Sequence, residues 1–290
     1  MAELRRLASA FLWVLSALLL LLVLVAVVVN DVELWKTITR LGDEEFYVVA
    51  AVLAYYALLP DWSSGLALVL AVLASGAVNV LLKYLLGMPR PPNPLVEVSG
   101  PGFPSGHAQV SASFWTSLAL LARKASLAVL AAVVVAGVSL SRVYLRAHYE
   151  VDVIGGVLIG AFIGYASYYS HRHYARHGTL LLQLALPLLT AAIAAYNLLR
   201  GFEVGSTSSI LGLSLAASAT ATVATRRSSA RTSTARSVLL KWTLCCASIL
   251  LLLAAHYATK SAIAHVRVAA FLTAGVFTLL TPVLLGYSRR

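Results

Sequence analysis

Apolar residues run along the chain in blocks of about twenty, broken by short polar turns, which is the length an α-helix needs to cross a hydrocarbon layer roughly 30 Å thick. Ten such blocks are read, at 7–29, 46–60, 65–86, 106–122, 125–145, 151–170, 179–199, 206–224, 238–258 and 265–286. Backbone inside lipid must satisfy its own hydrogen bonds. The expectation is therefore an all-α, polytopic integral membrane bundle of about ten transmembrane helices. The block at 46–60 is the shortest and is closed by Pro60. It is kept as a span because deleting it would turn the Arg123/Lys124 turn outward, against the tendency of basic residues to stay inside.

Composition agrees with the pattern. Of 290 residues 60% are apolar and only 11% charged, with a mean hydropathy of +0.86, which leaves no room for a large soluble domain. The first block follows MAELRR and is too long, with no small-residue cleavage site, for a signal peptide, so it is read as a retained helix. With the N-terminus inside, the inner side collects Arg5, Arg6, Arg123, Lys124, Arg172, Arg176 and the basic stretch that follows residue 225. All eleven acids except Glu3 and Asp61 fall outside. Both termini are thereby expected to be cytoplasmic.

The net charge of +11 is scattered over loops and forms no patch beside an aromatic platform, which argues against a nucleic-acid partner. Cys245 and Cys246 are adjacent inside an apolar block and match neither a disulfide nor a metal site. Gly156, Gly160 and Gly164 form a stripe where another helix can approach closely. The span 206–224, rich in Ser, Ala and Thr, is expected to be buried among other helices, and 225–237 to be a positive cytoplasmic linker. His171, His173 and His177 read as incidental imidazoles on the inner side. His256, Lys260, His265 and Arg267 are candidates for headgroup contact on the outer side.

The chemistry gathers at the outer ends of the third to sixth spans. Lys83 lies in the last turn of the third, with Arg90 and Pro91 after it; Pro104, Ser105, Gly106 and His107 open the fourth. Ser141 and Arg142 close the fifth, and His148 and Asp152 stand at the entrance to the sixth. Three cations, two imidazoles, a carboxylate and a helix N-terminus on one face suit the binding and transfer of a phosphate. Ser105 is placed to cap its helix and, with the backbone N–H groups near Gly106, to face an anion. Gly106 lets that anion come close. Arg90 and Arg142 can each grip two phosphoryl oxygens, and Lys83 adds a compact charge. His148, with Asp152 four residues on, is the expected nucleophile with its orienter. His107 is the expected acid and base, protonating the leaving oxygen and then activating water. No metal or other cofactor is called for.

KYLLGMPRP (83–91) fits KxxxxxxRP, PSGH (104–107) fits without change, and SRVYLRAHYEVD (141–152) fits SRxxxxxHxxxD. On these motifs the chain resembles the type 2 phosphatidic acid phosphatase superfamily, with every specified position present and in order. The resemblance covers residues 1–175 and implies a six-helix core. It leaves 176–290 as four additional C-terminal transmembrane helices of unassigned role. It implies a metal-independent lipid phosphatase with a phosphohistidine at His148, Asp152 as its partner, His107 as acid/base, and a phosphate pocket of Lys83, Arg90, Ser105, Gly106 and Arg142. It also implies a site on the extracytoplasmic side. The expected substrate is a lipid phosphate or diphosphate, with polyprenyl diphosphate ahead of phosphatidic acid and phosphatidylglycerol phosphate. Two alternatives stay open: a phosphotransferase that discharges the phosphohistidine to a lipid or sugar hydroxyl, and a lipid transporter or scaffold that binds without turnover.

Overall fold

The computed structural model describes residues 2–177, 180–227 and 238–284. Most of the expected linker at 225–237 lies outside the described residues, as do the side chains of Arg5, Arg176 and His177. The helices are α1 (Ala2–Val29), α2 (Val32–Thr39), α3 (Glu44–Leu53), α4 (Trp62–Leu86), α5 (Gly106–Ala122), α6 (Ala125–Tyr144) and α7 (Glu150–His177). They continue as α8 (Leu180–Leu199), α9 (Val204–Arg227), α10 (Val238–Ala258) and α11 (Ala264–Leu284). Among the described residues each of the ten expected blocks falls on a helix. Among the described residues α1, α4, α6, α7, α9 and α11 are long and apolar enough to cross a membrane. The protein is a multi-pass helical membrane protein.

The block at 46–60 departs from a full-length span in an informative way. It is α3 followed by a π-helical turn at Ala54–Leu58, in which the Leu59 amide reaches back to Ala54 O at 2.9 Å. It spans only about 22 Å at helical rise. Its two sides are both covered. Tyr47, Ala51 and Ala54 join a core cluster with α4, α5 and α6, while Val52, Tyr55 and Tyr56 join a second cluster with α9, α10 and α11. α3 is thus the wedge between the two halves. The Tyr55 and Tyr56 hydroxyls donate to Leu279 O and Thr278 O at 2.8 and 3.1 Å, fastening that wedge to α11. Asn197 Nδ2 donates to Ala77 O at 2.9 Å and fastens α8 to α4.

The glycine stripe does what its spacing requires. A Cβ at Gly156 would stand 2.7 Å from Ser105 O, one at Gly164 2.5 Å from Ser113 O, and one at Gly160 would collide with Gln109 O. α7 therefore lies backbone to backbone against α5, which locks the helix carrying Asp152 to the helix that opens with PSGH. α9 is buried as expected. Its Ser208, Ser214, Thr220 and Thr222 hydroxyls donate to carbonyls four residues back, at 2.6 to 2.9 Å. Arg267 is not free for a headgroup: it is buried, and its Nε donates to Ser209 Oγ at 3.0 Å.

Candidate active site

All the polar motifs come to one end of the bundle, because α4 and α6 end where α5, α7 and α9 begin. α4 stops at Gly87, whose φ of +59° turns the chain out of the helix and sends residues 87–105 across this end. That loop is tied down by Gly102 N to Met88 O at 2.7 Å, Leu95 N to Leu145 O at 2.9 Å and Ser105 N to Asp152 O at 2.9 Å. Beneath it, Asn79 Nδ2 donates to Pro104 O and Gln109 Oε1, and Gln109 Nε2 donates to Ser75 O. This buried amide network fixes the start of α5. Gly106 keeps this contact open, since a Cβ would stand 3.1 Å from Asn79 Oδ1 and crowd the amide.

The result is a polar pocket of about 440 Å³, lined on its inner wall by Lys83, Arg90, Gly106, His107, Arg142 and His148. Six of the eight residues expected from the sequence thus face one space. Asp152 and Ser105 are fully buried behind them. Here the structure corrects the expectation for Ser105. It occupies the N-cap position of α5 with extended backbone, but its hydroxyl makes no capping bond and finds no hydrogen-bond partner among the described residues. Arg142 Nε, His148 Nδ1 and Asp152 Oδ1 are likewise buried without a partner among the described residues. Orphaned polar atoms are rare in folded proteins, and four of them grouped at one site mark it as built for more than packing.

Arg90 is also differently used than expected. Its Nε donates to Gly100 O at 2.9 Å, Nη2 to Ser99 O at 2.8 Å and Nη1 to Ala147 O at 2.8 Å. It clamps the loop before it can grip a phosphate. Nη1 also lies 3.1 Å from His148 Nε2. A guanidinium only donates, so Nε2 is the acceptor and the proton of the neutral ring is on Nδ1, which faces Asp152 Oδ2 at 3.5 Å. Burial first, and then the charges of Arg90, Arg142 and Lys83, hold the His148 imidazole well below its ordinary range, so the ring is neutral with a lone pair on Nε2. Arg142 donates from Nη1 to Thr39 Oγ1 at 3.1 Å.

Two carboxylates at the pocket were not singled out by the sequence. Asp43 Oδ1 lies 3.1 Å from His107 Nε2, and Glu203 Oε1 lies 3.5 Å from Lys83 Nζ. Asp43 opens the acidic run Asp43-Glu44-Glu45 just before the short second block. Glu203 is the only acid after Asp152 in the whole sequence, a singularity that was legible. Among the described residues no three His, Cys, Asp or Glu side chains group as a metal site.

Helices crossing a membrane, with a cationic and imidazole-bearing pocket at their common end, define a class of membrane-embedded, phosphate-handling proteins. The profile of the PAP2 superfamily matches residues 64–176, the stretch that carries all three motifs. Decaprenylphosphoryl-5-phosphoribose phosphatase of Mycobacterium tuberculosis is 39% identical over 93 residues, 30% of this chain and 50% of that protein. The match thus spans about half of that relative. Phosphatidylglycerophosphatase B of Bacillus subtilis is 30% identical over 146 residues, 45% of this chain and 70% of that protein. The crystal structure of a transmembrane PAP2-type phosphatidylglycerolphosphate phosphatase from Bacillus subtilis superposes with a TM-score of 0.47 at 25% identity, covering 59% of this chain and 96% of that one. This chain belongs to the PAP2 superfamily.

Proposed function

We propose that the protein is an integral membrane hydrolase that removes the terminal phosphate of a lipid phosphate or diphosphate, without a metal, through a phosphohistidine on His148. The observation that carries this reading is the pairing of His148 with Arg90 and Asp152, which leaves a neutral ring with its Nε2 lone pair on the pocket side. Nε2 attacks phosphorus, a P–N bond forms and the P–O bond to the lipid breaks. Asp152 keeps the proton of Nδ1 in place and stabilises the charge that develops on the ring. His107 gives a proton to the departing oxygen, then takes one from the water that cleaves the P–N bond and frees phosphate. Lys83, Arg142 and Arg90 face the charge that builds on the equatorial oxygens. The incoming phosphate replaces His148 as the acceptor for Arg90.

On this reading the core, residues 1–175, carries the chemistry, and α8 to α11 are additional to it. Loop charge supports an extracytoplasmic site, with both termini cytoplasmic. Relatives named for decaprenyl-linked, phosphatidylglycerophosphate and lipid A substrates support the lipid class. Among these we favour polyprenyl diphosphate, whose recycling as a glycan carrier needs an outward-facing site. The test is phosphate release by detergent-purified protein in EDTA from polyprenyl diphosphate, phosphatidic acid and phosphatidylglycerol phosphate, with His148→Ala as control. Release lost in the variant supports the reading. No release by folded wild-type protein from any of the three overturns it.

A further inference from the structure

We infer that the C-terminal helices supply one wall of a slot for a single hydrocarbon chain of the substrate, adjoining the phosphate pocket. This rests on the phosphatase reading above and adds what holds the lipid. Against the polar pocket lies a second, almost wholly apolar cleft of about 160 Å³. α3 and α4 give it one wall, with Val52 and Val72; α9, α10 and α11 give the other, with Leu213, Leu252 and Phe271.

The two spaces adjoin. Glu44, Tyr47, Gly76, Val110, Ser206 and Ile210 line both, so they form the neck between them. The neck is narrow by sequence: a Cβ at Gly76 would stand 3.0 Å from Ile210 Cδ1 across it. Polar contacts hold the C-terminal helices to the core around this end. Ser206 Oγ donates to Glu44 Oε1 at 2.9 Å, His256 Nε2 lies 3.5 Å from Glu45 Oε1, and Glu203 reaches Lys83 at 3.5 Å. These contacts join the halves at the pocket end, beside the apolar cluster in which Val52, Leu252 and Phe271 pack together.

The occupant follows from adjacency and size. A molecule whose phosphate lies against Lys83, Arg142 and His148 has its ester oxygen at the neck, and the group attached to that oxygen meets apolar walls. A cavity of about 150 Å³ accommodates a benzene-sized group. The cleft thus takes the first several carbons of one chain, not the two chains of a diacyl glycerolipid. The slot selects lipids whose phosphate is borne directly by a single chain.

The experiment uses the full chain in detergent with prenyl monophosphates of five, ten and fifteen carbons, and the variants Leu213→Trp and Val72→Trp, whose positions line the cleft and not the phosphate pocket. Burial of each carbon at about 0.8 kcal/mol is about fourfold in binding. In the wild type kcat/KM is expected to rise at least tenfold from five to ten carbons and to level off by fifteen. In each variant that ratio is expected to fall to about two or below, with a melting temperature in detergent close to that of the wild type as the check that the variant is folded. As a readout independent of mutation, a diazirine placed near the phosphate end of a prenyl phosphate should label α9 or α11 in the wild type. A chain-length ratio unchanged in both variants, or label confined to the outer surfaces of α1 and α6, overturns the slot. Failure of the wild type to release phosphate from every prenyl phosphate, despite labelling in α9 or α11, overturns the phosphatase reading and not the slot.

Discussion

Arg90 meets a ring nitrogen of His148: its Nη1 stands 3.1 Å from His148 Nε2 while the guanidinium is also bonded to the Ser99, Gly100 and Ala147 carbonyls. One side chain thus ties the loop over the pocket to the proposed nucleophile. Lysine would keep the charge but could not reach these acceptors together, because the planar fork is what matches them.

Arg90→Lys is expected to lose about 100-fold in kcat/KM, comparable to removal of one well-placed oxyanion donor. The loop at 92–103 should become cleavable by protease at the same time. Steady-state kinetics with limited proteolysis check both; a slowed enzyme whose loop is still protected would separate the two roles assigned to Arg90.

Asp43 acts through His107, whose Nε2 it meets at 3.1 Å. Asp43→Asn should lower kcat by about tenfold to a hundredfold, the scale on which a positioned acid or base and its partner contribute. KM should stay within about twofold, since Asp43 holds no phosphate oxygen. A change in KM alone would place Asp43 in binding instead.

Glu203 pairs with Lys83 at 3.5 Å and, on the proposed reading, competes with substrate for it. Its replacement by Gln frees the ammonium and removes a negative charge from the pocket, so inorganic phosphate and vanadate should inhibit about threefold or more at lower concentration, in line with a partly buried ion pair. Inhibition constants equal to wild type would mean that the 3.5 Å pair has no part in anion binding.

The buried imidazole of His148 sets a direction for stability against pH. Its folded pKa is depressed, chiefly by burial, whereas in the unfolded chain it titrates near 6.5. As pH falls below about 6.5 the unfolded chain takes up a proton that the folded protein refuses, so stability declines by up to about 1.4 kcal/mol per pH unit. His148→Gln removes that term. Between pH 7 and pH 5.5 the melting temperature of the wild type in detergent should drop a few degrees more than that of the variant; parallel curves would contradict a neutral, buried ring.

Much of this architecture was legible because lipid imposes a single length scale on apolar blocks. The expected 106–122 coincides with α5, and the glycines at 156, 160 and 164 announced the close contact of α7. What escaped was set by shorter or longer distances than that scale. α2 has only eight residues, capped where Asp31 accepts from Leu34 N, and it buries Trp35 and Ile38 without forming an apolar block. The three motifs brought forward Lys83, Arg90, His107, Arg142, His148 and Asp152, which converge. Asp43 and Glu203 lie 64 and 120 residues from the side chains they meet, with no motif to link them. The expected cap by the Ser105 hydroxyl is not made, although capping is the commonest use of serine at that position.

The hydroxyls of α9 bear on how the protein is assembled. This helix has a mean hydropathy of 1.3 in its most apolar window, against 3.2 for α1. A segment so weakly apolar would be a poor passenger for the insertion machinery if its serines and threonines met lipid unsatisfied. By turning them onto its own carbonyls, α9 enters the bilayer with its polar groups already answered and needs no partner strand of contacts to do so. Its own backbone thus offsets part of the cost of carrying serine and threonine inside the bundle.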